Sequence, residues 1–164
     1  MSKETVDVLI VGAGASGAAI AYSLSDLGVK ILCLEQGDWP DHLNYPSQKD
    51  DYELHRYSEF SCDPNVRKLP QDYPINSDAS PITPVNYNAV GGSTINYLAH
   101  WPRFHPSDFR VKSLDRVASD WPINYKTLAP FYDLNSKIMG VSGLEGNPSY
   151  PPYKPTLPPI PLGK

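Results

Sequence analysis

Three glycines, Gly12, Gly14 and Gly17, stand in the pattern GAGASG directly after the apolar run VDVLIV. Glycines at this spacing suit the binding of an anion. Gly12 permits a tight turn, and Gly14, lacking a Cβ, lets a pyrophosphate approach the backbone. The free N–H groups of Ala15, Ser16 and Gly17 then point at that anion from the positive end of a helix dipole. Glu35 lies 23 residues after Gly12, near the ~20 at which an acid usually meets the ribose hydroxyls of a dinucleotide. A carboxylate there repels a 2′-phosphate, which argues against NADP. By itself the pattern leaves FAD and NAD both open.

A second glycine turn, VGGSTIN, runs from Val90 to Asn96. Gly91 and Gly92 let backbone come close to a flat ring. Ser93, Thr94 and Asn96 offer neutral hydrogen-bonding groups. Other chemistry is poorly supported. His42, His55, His100 and His105 have no Ser, Cys or acid at the spacing of a nucleophile–base pair, although His100 lies nearest this second turn in sequence. Cys33 falls inside an apolar strand and reads as an inert core thiol, and Cys62 as a free loop thiol. Trp101 and Trp121 read as packing anchors, and Asp108, Arg110, Asp115 and Arg116 as candidates for surface ion pairs.

These residues need elements to hold them. Val6–Val11 reads as a buried parallel strand, Ala15–Leu27 as a helix with Gly17, Ile20, Ala21, Leu24 and Leu27 on its packing face, and Lys30–Glu35 as a second strand. Gly28 suits the C-terminal end of the helix. The result is an α/β fold, a Rossmann-like βαβ unit at 1–36 with a right-handed crossover. Two strands and one helix leave sheet unpaired, so the unit is incomplete by itself. From 37 to 89 periodicity fades in an irregular covering region, with a short helix around Ser47–Phe60. The segment 90–146 carries the second glycine turn and a helix over Asn124–Met139. Its N-cap is Asn124, its apolar stripe is Leu128, Phe131, Leu134 and Ile138, and it ends at Gly140 or Gly143. Pro130 should break or restart that helix. The tail at 147–164 is proline-rich and extended.

Composition narrows the functions. The 164 residues carry a net charge of −4, which gives nucleic acid or an anionic membrane no clustered Lys/Arg to meet. The run Val8–Val11 is far short of the roughly 20 apolar residues that span a bilayer. Two cysteines form no disulfide framework or zinc spacing, so a reducing, cytoplasmic setting is expected. Eighteen prolines are about twice the usual ~5% share, and none precedes Pro40.

Residues Val90–Arg103 (VGGSTINYLAHWPR), Phe104–Arg110 (FHPSDFR) and Asp120–Gly143 resemble the glucose–methanol–choline oxidoreductase family. The likeness is strongest to its branch of gluconate dehydrogenase flavoproteins and pyranose 2-oxidase. It covers Val6–Gln36 and most of Val90–Pro161 and is poor between them. The resemblance implies bound FAD. Gly12, Gly14, Ala15, Ser16, Gly17, Glu35 and Gln36 would surround its ADP part, and Gly92, Ser93 and Asn96 the flavin or pyrophosphate. In pyranose 2-oxidase a histidine bonded covalently to flavin occupies the place of Asn96, so the asparagine implies non-covalent FAD. The family's catalytic histidine lies much further along a longer chain, so no catalytic base is assigned here. The expected partners are a C-terminal half or complementary subunit, a small alcohol or sugar substrate, and an electron acceptor of unknown kind. The alternatives are a nicotinamide-dependent oxidoreductase and a non-catalytic dinucleotide-binding module whose Pro-rich tail docks a partner.

Overall fold

The structure is a computed structural model that describes residues 5–44, 49–55, 57–58, 61–83 and 85–161. It divides into two compact units, 1–98 and 99–164.

In the first unit, strand β1 (Val8–Val11) leads through the glycine turn into helix α1 (Ala15–Leu24). A 3-10 turn over Ser25–Leu27 follows, closed by Gly28 in the left-handed conformation, and strand β2 (Ile31–Leu34) returns. The two strands pair in parallel, Val8 opposite Ile31 through Val11 opposite Leu34. This is the βαβ unit the apolar periods predict. Its α-helix is shorter than Ala15–Leu27, because the last three residues tighten into a 3-10 turn before the glycine.

The strands are not buried as expected. Among the described residues the sheet has two strands, and one helix covers only part of it. Ile10 is buried, while Leu9, Val11, Leu32 and Leu34 are exposed. Cys33 is likewise exposed, not a core thiol. A parallel sheet needs cover on both faces, and among the described residues these two strands have only part of it.

Among the described residues the irregular region holds two single-turn α-helices, α2 (Tyr52–His55) and α3 (Pro64–Arg67). The expected helix at Ser47–Phe60 is therefore one turn where it is described; residues 47, 48, 56, 59 and 60 lie outside the described residues. Asp63 caps α3 by accepting from the Asn65 N–H at 2.8 Å.

In the second unit, α4 (Val111–Asp115) precedes the long helix α5 (Tyr125–Met139). Asn124 caps α5 through Thr127, and Gly140 ends it in the left-handed conformation, both as expected. Pro130 does not break it. At the sixth position of the helix, proline removes one bond to the Lys126 carbonyl, and the remaining turns carry the helix through. The buried face of α5 is also not the apolar stripe. Tyr125 and Ser136 point inward, whereas Phe131, Leu134 and Ile138 are exposed. The inward side is organised by Arg103, which is buried and bonds Asp133 at 2.8 Å while lying over the rings of Tyr153 (4.0 Å) and Tyr132 (5.5 Å). Phe109 is fully buried beside Phe104. Trp121 is more than half exposed, so it is not the expected anchor.

The proline-rich tail folds back on its own unit. Leu157 exchanges hydrogen bonds with Val141 and Gly143, and Tyr150 stacks on His105 with ring centres 4.3 Å apart. Residues 162–164 of the tail lie outside the described residues.

Candidate dinucleotide site

Gly12 turns the chain at φ +94°, a conformation that a side chain would strain, and its N–H bonds the Leu34 carbonyl at 2.7 Å. The turn delivers Gly14 to the N-cap of α1 in an extended conformation, with no side chain to cap the helix. The first turn closes with Ala18 N–H on the Gly14 carbonyl, so the amides of Ala15, Ser16 and Gly17 have no cap among the described residues. These are orphan donors at the positive end of a ten-residue helix.

Gly17 explains how the helix comes so near. It is buried, and a Cβ there would lie 2.0 Å from the Gly12 carbonyl oxygen and 3.2 Å from Ile10 Cγ2. A Cβ at Gly14 would meet nothing within 4 Å. The two glycines therefore serve different ends. Gly17 is required by the protein's own packing, whereas Gly14 leaves open space in front of the donors.

Glu35 follows β2. Its Oε2 accepts from the Ala13 N–H at 2.6 Å and its Oε1 from the Gly37 N–H at 2.9 Å. The N–H groups of Gly37 first and Ala13 second stabilise the anion and hold this carboxyl below its ordinary value of 4.5. Each oxygen keeps a further lone pair. The acid thus ties the end of β2 to the glycine turn, a use the spacing does not announce, and stays able to accept from a hydroxyl. Gln36 is exposed beside it.

The structure brings the two glycine turns together. Gly91 N–H bonds the Ala13 carbonyl at 2.8 Å, Gly14 and Gly91 form an isolated parallel bridge, and a Cβ on Gly92 would come 3.7 Å from Gly14 Cα. Gly91 adopts φ +100° to make this approach. A second bridge, Asp38 with Ala89, runs behind it, where a Cβ on Gly37 would meet the backbone of Asn88 and Ala89 at 2.3 Å. Residues 88–91 therefore lie along the ends of β1 and β2 as an added strand-like arm.

Beyond the arm, Gly92, Ser93 and Asn96 share one 3-10 turn, Gly92–Asn96. The Ser93 hydroxyl accepts from the Tyr87 N–H at 3.2 Å and donates to Asn86 Oδ1 at 3.4 Å, so it is tied to its own chain. Asn96 Nδ2 is buried and has no hydrogen-bond partner among the described residues. Such a group is costly unless something accepts from it. The uncapped amides, the ionised carboxylate with spare lone pairs and this orphaned donor all fit a bound dinucleotide.

The remaining residues singled out by type have surroundings of their own. In the second unit, His105 is engaged with Tyr150 and the Ser149 carbonyl, and His100 is exposed. His42 sits in a 3-10 turn and His55 ends α2. Arg110 pairs with Asp120 at 3.7 Å. Among the described residues no group of three His, Cys, Asp or Glu side chains could hold a metal ion, and no helix is long and apolar enough to cross a membrane.

Comparison with known proteins agrees with this geometry. Residues 10–71 match the family model of the NAD(P)-binding Rossmann-like domain. The chain is 43% identical over 150 residues to 2-methyl-1,2-propanediol dehydrogenase of Mycolicibacterium austroafricanum, covering 90% of this chain and 27% of that protein. It is 30% identical over 166 residues to the fructose dehydrogenase large subunit of Gluconobacter japonicus, covering 91% of this chain and 30% of that subunit. The gluconate 2-dehydrogenase flavoprotein of Pantoea cypripedii is 24% identical over 163 residues, 85% of this chain and 26% of that protein. The chain thus spans between a quarter and a third of the length of these relatives. Residues 10–71 thus match a Rossmann-like dinucleotide-binding domain, and the relatives to which the chain is similar along most of its length are named as dehydrogenases.

Proposed function

We propose that this chain forms the FAD-binding part of a flavin-dependent oxidoreductase that oxidises a CH–OH group of an alcohol, a sugar or a polyol. The observation that carries this reading is the docking of the Gly91–Gly92 turn on the Ala13–Gly14 turn. It sets a second ligand-facing segment beside the uncapped amides of α1. FAD, when bound, supplies the acceptor for the hydride lost by the alcohol carbon.

The chain's own residues bind and orient. The amides of Ala15, Ser16 and Gly17 donate to the diphosphate, and the open space at Gly14 admits it. Glu35, ionised and fixed by Gly37 and Ala13, accepts from the ribose hydroxyls and repels a 2′-phosphate. Gln36 lies beside that ribose position. Gly92, Ser93 and Asn96 lie toward the flavin and pyrophosphate, where Asn96 Nδ2 gains the acceptor it lacks. An asparagine amide is no nucleophile, which supports a non-covalent cofactor. No residue of this chain is assigned as the base that takes the alcohol proton.

The names of the relatives, a propanediol, a fructose and a gluconate dehydrogenase, support a small polyhydroxylated substrate. The remaining length of such proteins, or a complementary subunit, is the expected partner, and the exposed faces of β1 and β2 supply surface for it. Two unpaired thiols, Cys33 and Cys62, suit a reducing, cytoplasmic setting. The test is to purify the protein, denature it and identify the nucleotide released. Stoichiometric FAD in the supernatant is expected. Bound NAD, or no saturable dinucleotide binding, would overturn the proposal.

A further inference from the structure

Arg67 and Asp72 form a buried ion pair that the dinucleotide site does not directly use. Both side chains are almost wholly shielded, Nε meets Oδ2 at 2.9 Å, and Nη2 meets Oδ1 at 2.5 Å. The rest of the guanidinium is also spoken for. Nη1 donates to the Ser61 carbonyl at 2.6 Å and Nη2 to the Asn86 carbonyl at 2.9 Å, while the cation lies 4.4 Å from the centre of the Tyr87 ring. Asp72 in turn accepts from the Leu69 N–H at 2.9 Å. Between them Lys68 is held at φ +52°, a strained backbone that persists only where neighbours over-determine it.

What this pair grips is the root of the arm. Asn86 and Tyr87 are the two residues that hold the Ser93 hydroxyl, and residues 88–91 follow directly to dock on Ala13 and Gly14. The link runs from Arg67 to Asn86 and Tyr87, then to Ser93 and the Gly91–Gly92 turn. The described residues of the loop 61–87 have little regular structure to fix that root, so a bidentate guanidinium with four N–H···O bonds is its anchor. A buried pair of this kind is retained for a conformation more readily than for stability, since apolar replacements of similar volume are often no less stable.

We propose that Arg67, fixed by Asp72, is a positioning residue for the dinucleotide site: it sets the arm that places the second glycine turn against the first. This rests on the function proposed above. The test uses the full protein, the double variant Arg67→Met with Asp72→Leu, and two readouts. One is FAD affinity and the visible circular dichroism of the bound flavin. The other is hydrogen exchange at the Gly91 and Gly92 amides in ligand-free protein, which needs no cofactor. The double variant is expected to fold with a lowered melting temperature, since the Ser61 and Asn86 carbonyls and the Leu69 N–H lose their partners, to bind FAD about tenfold or more weakly with an altered dichroism, and to lose protection at Gly91. Parent-like affinity and protection in a folded double variant would overturn the inference while leaving the proposed function intact. Failure of the parent to bind FAD would instead defeat the proposed function. If the double variant does not fold, Tyr87→Leu decides, because it removes the ring under the cation and leaves both members of the Arg67–Asp72 pair in place. Weaker FAD binding and faster exchange at Gly91 are expected there, and unchanged values overturn the inference.

Discussion

Replacing Gly17 by alanine separates a glycine required by packing from one required by a ligand. In an ordinary helix this change gains about 1 kcal/mol, because glycine costs backbone entropy. Here the new Cβ would lie 2.0 Å from the Gly12 carbonyl oxygen, whereas ordinary contact begins at 3.4 Å. The obstructing atom is backbone, not the tip of a flexible side chain, so α1 and the Gly12 turn must part by more than an ångström. Overpacking of this sort costs about 1–3 kcal/mol, enough to cancel the propensity gain and leave the variant less stable. The same displacement moves the amides of Ala15 and Ser16 outside the ~2.7–3.2 Å window of a hydrogen bond to a fixed diphosphate. Losing one hydrogen bond to a charged group costs about 1.5–3 kcal/mol, or roughly ten- to a hundredfold in Kd. Urea unfolding of Gly17→Ala, paired with a fluorescence titration of FAD, reads both effects. A variant more stable than the parent, with unchanged FAD affinity, would refute the reasoning.

Gly14→Ala should behave differently. Its φ of −73° suits any residue and its Cβ meets nothing within 4 Å, so the chain-entropy gain of about 0.4–1 kcal/mol is offset by alanine's poorer fit at the N-cap; ligand-free stability should stay within about 1 kcal/mol of the parent while FAD affinity falls, as melts and titrations would show. Glu35→Gln tests the carboxylate. Its folded-state pKa is depressed below 4.5, so its contribution to stability is present above that value and lost as pH falls through the folded value. The variant should be less stable than the parent at pH 7 and show a flatter decline as pH falls below 4.5 in denaturant melts. Pro130→Ala restores one helical N–H in α5 and should raise stability by up to about 3 kcal/mol; a lower melting temperature would contradict this reading of α5.

Local chemistry made the cradle legible. Strand, turn, helix and acid follow one another within thirty residues, each governed by its own period or cap, and Gly28, Asn124 and Gly140 end or start helices where expected. What stayed hidden depends on contacts between distant positions. The docking of Gly91 on Ala13 and the hold of Arg67 on Asn86 obey no local repeat. Nothing in the spacing shows that Glu35 also binds two backbone amides. The buried positions of α5, Tyr125 and Ser136, follow no apolar stripe, and the buried Arg103 that binds the exposed Asp133 and lies over Tyr132 comes from outside the helix, where no local repeat announces it. Cys33 is exposed because a parallel strand is buried only when further layers cover it.

The most direct measurement is a crystal structure of the protein soaked with FAD. The expected result is diphosphate oxygens about 2.7–3.2 Å from the amides of Ala15, Ser16 and Gly17, with a ribose hydroxyl on Glu35. A cradle left vacant at saturating FAD, or filled by one of the protein's own side chains, would contradict the central claim.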